Sequence, residues 1–156
     1  MPPRYLDQAL FAELAAQSAA NPRQRQHHNF HAMEEPCHRM AVGLQPDTYI
    51  PPHRHLSQDK AEALLVLKGC LGLLLFDEQG LVVQRRLLQA GGECVGVDLP
   101  PGEFHALVVL EPDSILFEAK AGPYRPVGDG ELADWAPREG EPAVAAYLAW
   151  MRSQFN

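Results

Sequence analysis

Between Cys37 and Lys120 the chain is a succession of short apolar runs cut by turn residues, and that rhythm restricts its fold more than any other feature. Runs at Cys37–Leu44, Thr48–His53, Glu62–Leu67, Leu71–Phe76, Leu81–Leu88, Glu93–Val97, His105–Leu110 and Ser114–Lys120 each have strand length. The breaks carry turn chemistry. Asp77-Glu78-Gln79-Gly80 is a hairpin loop, and Gly91-Gly92, Pro100-Pro101-Gly102 and Pro112-Asp113 are turns. Many short strands at regular spacing predict an all-β sandwich or barrel.

The two ends read differently. Leu6, Leu10 and Leu14 recur at helical spacing in an alanine-rich stretch, which predicts a helix over Tyr5–Ala20 ended by Asn21-Pro22. The polar run QRQHHNFH after it reads as a linker. Beyond Lys120 the text turns rich in Pro and Gly, with a short helical patch at Glu131–Trp135, and reads as a lid. Pro142 then opens a last helix with an apolar stripe of Val144, Leu148 and Met151. The expected organisation is one domain: helix and linker over 1–28, barrel over 29–120, lid and short C-terminal helix over 121–156.

At 156 residues and 46% hydrophobic content the chain can bury one substantial core. A net charge of −7 argues against nucleic acid or an anionic membrane as main partner, since both need a basic surface. The pairs Arg23/Arg25 and Arg85-Arg86 read as solvated surface charges. Three cysteines without a C-x-x-C fit reduced thiols and a cytoplasmic address. No stretch approaches the ~18 apolar residues of a membrane span. Small barrels expose sheet edges, so a homodimer is expected.

The chemistry concentrates around GLQPDTYIPPHRHLSQDKAEALLVLKG, from Gly43 to Gly69. In a strand, His53 and His55 point to one face, so both imidazoles can enter one cavity. Glu62 heads an apolar run, where an unpaired carboxylate costs roughly several kcal/mol. His105 heads another. Three imidazoles and one carboxylate make a candidate transition-metal site, and nitrogen and oxygen donors without thiolate suit Fe, Mn, Ni, Zn or Cu. The His-x-His pair alone equally fits two solvated histidines in a proline-rich loop.

The order Gly43, His53-x-His55, Glu62, Gly69, then Pro100-x-Gly102-x-x-His105 resembles the two motifs of the cupin superfamily. The Glu62-to-Gly69 gap has the family spacing. The His55-to-Glu62 gap is longer than usual, Cys94 stands at the second motif's glycine, and Val109 at its asparagine. The resemblance implies a double-stranded β-helix, the cupin jelly-roll barrel, with His53, His55, Glu62 and His105 as metal ligands.

From about Asn29 to Glu141, the segments QHHNFHAMEEPCHRMAVGLQPDTYIPPHRH, LFEAKAGPY and ADWAPREGE are similar to the cupin-fold metalloproteins of the WbuC type. That family is associated with bacterial polysaccharide genes. The likeness implies a small-molecule ligand and an enzyme of isomerase, epimerase or oxygenase type acting on a carbohydrate-related molecule. The alternative is a non-catalytic metal- or small-ligand-binding protein. It also brings Asn29 and His31 toward the pocket rim.

Further polar residues are candidates for the cavity mouth: Tyr49, Arg54, Lys60, Lys120, Tyr124 and Arg125. Strand alternation puts Arg39 opposite Met40, Val42 and Leu44, which leaves two readings open: a bidentate anchor for an anionic group, or a surface arginine.

Overall fold

The computed structural model describes residues 1–156. Its first element is a helix, α1 (Gln8–Ala20), started by the Asp7 carboxylate, which accepts the Leu10 N–H at 3.0 Å. Eight strands follow: β1 (Arg25–Asn29), β2 (Cys37–Leu44), β3 (Glu62–Lys68), β4 (Cys70–Phe76), β5 (Val82–Gln89), β6 (Gly96–Leu99), β7 (Phe104–Val109) and β8 (Ser114–Ala121). A second helix, α2 (Val144–Ser153), closes the chain.

The strands form two antiparallel sheets, a five-stranded one in the order β1-β2-β8-β3-β6 and a three-stranded one in the order β5-β4-β7. Between them lies a core of Met40, Val42, Leu44, Leu64, Val66, Leu71, Leu73, Leu88, Leu99, Val109 and Leu116. Burying each such aliphatic side chain contributes roughly 1.5–3 kcal/mol. α1 covers the outer face of the larger sheet, with Phe11 and Leu14 against Ala41 and Ile115. α2 covers the other outer face, with Leu148 and Met151 packed with Leu74, Phe76, Ala106 and Val108. This explains why β4 reads CLGLLLF, apolar at nearly every position: both of its faces are buried.

Two glycines are fixed by this packing. A Cβ on Gly43 would stand 2.6 Å from the Leu14 carbonyl oxygen, so α1 could not lie this close to β2. Gly69 takes φ +83° in the turn that reverses β3 into β4.

Four expectations change. Thr48–His53 forms no strand, because Pro51 and Pro52 lack the N–H groups a ladder needs; only His53 makes a bridge, to His105 and Leu132. The polar run after α1 is not a linker over its whole length, since Arg25–Asn29 pairs with β2 as β1. Residues 131–135 form turns rather than a helical patch, and the strand expected at 93–97 is β6 at Gly96–Leu99.

Candidate metal centre and cavity

The period of two along each strand builds the cavity. Arg25 and His27 on β1, Val42 and Leu44 on β2, Glu62 and Leu64 on β3, His105 and Leu107 on β7, and Leu116, Glu118 and Lys120 on β8 line one space of about 390 Å³. Glu62 is the register partner of Lys120, and Leu64 that of Glu118, so the charged residues cluster toward one end of an apolar chamber.

The loop carrying His53 is tied to β7 by paired backbone bonds, His53 N–H to His105 O at 3.1 Å and His105 N–H to His53 O at 2.9 Å. Their rings lie 4.5 Å apart, centroid to centroid, and the His53 and His55 rings 5.6 Å apart. Donor atoms of His53, His55 and Glu62 lie within 4.8 Å of one another. Glu62, only 3% exposed, has His55 Nε2 at 2.8 Å from Oε1, His105 Nε2 at 3.2 Å from Oε2, and the Lys120 ammonium at 3.4 Å. Burial alone would raise its pKa; the contacts from His105 and His55 and the charge of Lys120 outweigh burial and hold the carboxyl well below its usual range.

The imidazoles are held as ligands need to be. His53 Nδ1 donates to Pro51 O at 2.9 Å and His105 Nδ1 to Glu103 O at 2.9 Å, each to the carbonyl two residues before it. In neutral rings this leaves both Nε2 atoms as lone pairs. Burial, reinforced by the nearby His105, lowers the His53 pKa to about 4, so its ring is neutral at ordinary pH. His105 Nε2 lies 3.2 Å from a Glu62 carboxylate oxygen, so the two atoms can share a cation. On His55 the other nitrogen, Nδ1, lies 3.7 Å from Glu131 Oε2. The donor set fits a divalent transition metal.

The remaining candidates separate. Lys120 and Tyr124 line the cavity. Lys60 and Arg125 join them, with His53, His55, Ser57 and Glu131, around an adjoining opening of about 190 Å³. Arg54, between the two histidines, turns outward to Glu78 at 2.6 Å and the Gly130 carbonyl. The other four lie off the cavity. Asn29 sits at the exposed end of β1. His31 is stacked on His38. Tyr49 is buried in the core under α2 and donates to Pro137 O at 2.6 Å. Arg39, on the face of β2 away from Val42 and Leu44, pairs with Glu35 at 2.5 Å.

Sequence reasoning did not single out Glu118, Glu131 or the inward role of Arg25 and His27. Alternation along LFEAK, which sets Leu116, Glu118 and Lys120 on one face, was the available signal for Glu118. For β1, polar residues on both faces hide the period. Arg23 is a surface residue as expected, with a side chain 60% exposed, but Arg25 is 7% exposed. Both bind Glu139, and these hydrogen bonds lower its carboxyl pKa to about 2 despite partial burial.

A family model described as a domain of unknown function, DUF6016, matches residues 6–88. The chain belongs to that family. None of the curated proteins compared with this DUF6016 member matches it. Solved structures do. KdgF from Halomonas sp. is 22% identical over 67% of this chain and 84% of its own, with a TM-score of 0.52. The capsular polysaccharide assembling protein CapF from Staphylococcus aureus is 15% identical over 67% of this chain and 29% of its own, with a TM-score of 0.54. An oxalate oxidase in complex with the substrate analogue glycolate is 17% identical over 67% and 55%, with a TM-score of 0.52. At these identities the likeness establishes the fold: two packed antiparallel sheets of the cupin jelly roll, flanked by an N-terminal and a C-terminal helix. No helix is long and apolar enough to cross a membrane.

Proposed function

We propose that this DUF6016 member is a metal-dependent cupin acting on a small carbohydrate-related molecule, by isomerisation, epimerisation or oxygen-dependent chemistry. His53, His55, Glu62 and His105 would hold one divalent transition metal. The observation that carries this reading is the convergence of His53, His55 and His105 on the buried Glu62, with the Nδ1 atoms of His53 and His105 fixed by backbone carbonyls. A metal held there supplies Lewis-acid polarisation or an oxygen-binding centre.

The protein's own contribution is the chamber. Val42, Leu44, Ile50, Leu64, Leu107 and Leu116 give it apolar walls that exclude water, and about 390 Å³ suits a small ligand. Lys120 places an ammonium between Glu62 and Glu118, so one of the two carboxylate charges at the metal-holding end is offset. The WbuC-type likeness supports a place in bacterial polysaccharide metabolism, the three free cysteines a cytoplasmic address, and the sheet edges left to cover a homodimer.

Elemental analysis of protein purified without added metal tests the centre, with about one equivalent per chain expected. Turnover of candidate sugar nucleotides by wild type and Glu62→Ala tests the chemistry; equal turnover would remove Glu62 from it. One observation favours the alternative, a non-catalytic metal- or small-ligand-binding protein: Lys120 is already paired with both Glu118 and Glu62. Metal binding without any turnover would select that reading.

A further inference from the structure

The opening beside the candidate centre has an unbalanced set of charges. Lys60, Lys120 and Arg125 line it, and Glu131 is the carboxylate among its lining residues. Glu131 is already engaged: its Oε1 accepts the Gly128 N–H at 2.9 Å, its Oε2 the Leu56 N–H at 3.1 Å, and His55 lies against it. Lys120 is matched by Glu118 and Glu62. Asp59, next in sequence to Lys60, accepts the Ser57 hydroxyl and is exposed.

Lys60 and Arg125 form no ion pair with any carboxylate. Lys60 is only 9% exposed, and its ammonium donates to the carbonyls of Ala121 at 2.6 Å and Pro123 at 3.2 Å. An ammonium has three N–H donors, so one is left over. Asp59 and Glu131 act on Lys60 only from beyond contact, and backbone carbonyls compensate for burial of its charge only in part. The two carbonyls fix the ammonium in place, on the rim of a space that also contains His53 and His55. His53, Lys120, Tyr124 and Val127 line both the opening and the main cavity, so one ligand can reach the histidines and the cations together.

We infer that Lys60 and Arg125 form an oxyanion subsite, so that the ligand of this cavity is an anionic small molecule bearing a carboxylate or phosphate group a short distance from the atom presented to His53 and His55. Lys60 supplies a fixed point charge. Arg125, exposed and unpaired, supplies a planar fork for two oxygens. The inference deepens the reading of the cavity as a carbohydrate site and rests on it for the scaffold, though not for the charge.

The test is calorimetric titration of the metal-loaded protein with three probes on one scaffold: glucose, glucuronate and glucose 1-phosphate. It is repeated on Lys60→Met, Arg125→Gln and chelator-treated wild type, with metal content measured in every sample. Expected is at least about tenfold tighter binding of one or both charged sugars than of glucose, weakened by salt. Each substitution should remove about tenfold of that preference and leave metal content unchanged. Whichever charged probe binds tighter identifies the group. Equal binding of all three, no binding at tens of millimolar, or a charged-sugar preference untouched by both substitutions overturns the inference. Arg125→Gln alters an exposed side chain, so the test survives if Lys60→Met fails to fold. Selectivity that is lost in the variants of a protein carrying no metal would sink the metal centre and leave the anion subsite standing.

Discussion

Two pairs of buried or half-buried histidines lie in this small protein, and they differ in what the second ring nitrogen meets. In His53 and His105 one nitrogen is tied to the carbonyl two residues back, while the rings gather around Glu62 and line the cavity. In His31 and His38 the rings stack 3.9 Å apart at 14°, His31 Nδ1 accepts the Arg39 N–H at 2.8 Å, and His38 Nε2 donates to Met33 O at 3.1 Å. Neither ring of the second pair forms an ion pair or lines the cavity. Burial of an imidazole is therefore no sign of a site. What separates a ligand from a structural histidine is a lone pair directed at a space where a cation can sit.

The sharpest way to break the comparison is to remove the carboxylate around which one pair gathers. Glu62→Gln keeps the shape of the side chain but removes its charge, and we expect metal affinity to fall by roughly a hundredfold or more, read by competition with a chelator. Retention of wild-type affinity would show that the histidines do not need Glu62.

The converse change is at the stacked pair. His38→Ala, at a position 2% exposed, should cost about 2 kcal/mol of stability in urea unfolding while leaving metal content as in wild type. Loss of metal in a folded His38→Ala protein would erase the distinction.

A smaller effect sharpens it. Glu131→Gln removes the charge 3.7 Å from His55 Nδ1 and should weaken metal binding by about tenfold, with little change in the fold.

The smallest effect is on pH dependence. Burial, only partly offset by the bond to Met33, lowers the His38 pKa below its usual ~6.5. In the window just below that value the unfolded chain binds the proton more readily, so stability rises with pH and is lost on acidification. The slope of unfolding free energy between about pH 5 and 6.5 should be shallower, by under one proton, in His38→Phe. An unchanged slope would mean that His38 keeps its ordinary affinity for protons.

Most of the framework was legible because burial imposes a period. β2 coincides with the run Cys37–Leu44, and β3, β4, β7 and β8 begin or end within a residue of their apolar runs, each packed on a sheet face that selects alternate side chains. β1 was not legible, since Arg25, His27 and Asn29 alternate with residues as polar as themselves. The reading of His53 and His55 as neighbours on a strand does not hold. Pro51 and Pro52 forbid the ladder, and the pair comes together on a loop held by the His53–His105 bridge.

The amino-acid order alone determined that this chain is an all-β sandwich with a helix at each end, and it singled out His53, His55, Glu62 and His105 as candidates, because residue type and spacing carry that information locally. Tertiary structure alone decided which polar groups share their chamber. Arg25 and Glu118 in the main cavity, and Lys60, Arg125 and Glu131 around its adjoining opening, come from segments far apart in sequence and are joined by strand register and by the fold-over of the segment after β8. It also sent Arg39, His31 and Tyr49 elsewhere. The reason is physical: a period of two says which residues share a face, but only the pairing of distant strands says which faces enclose the same space.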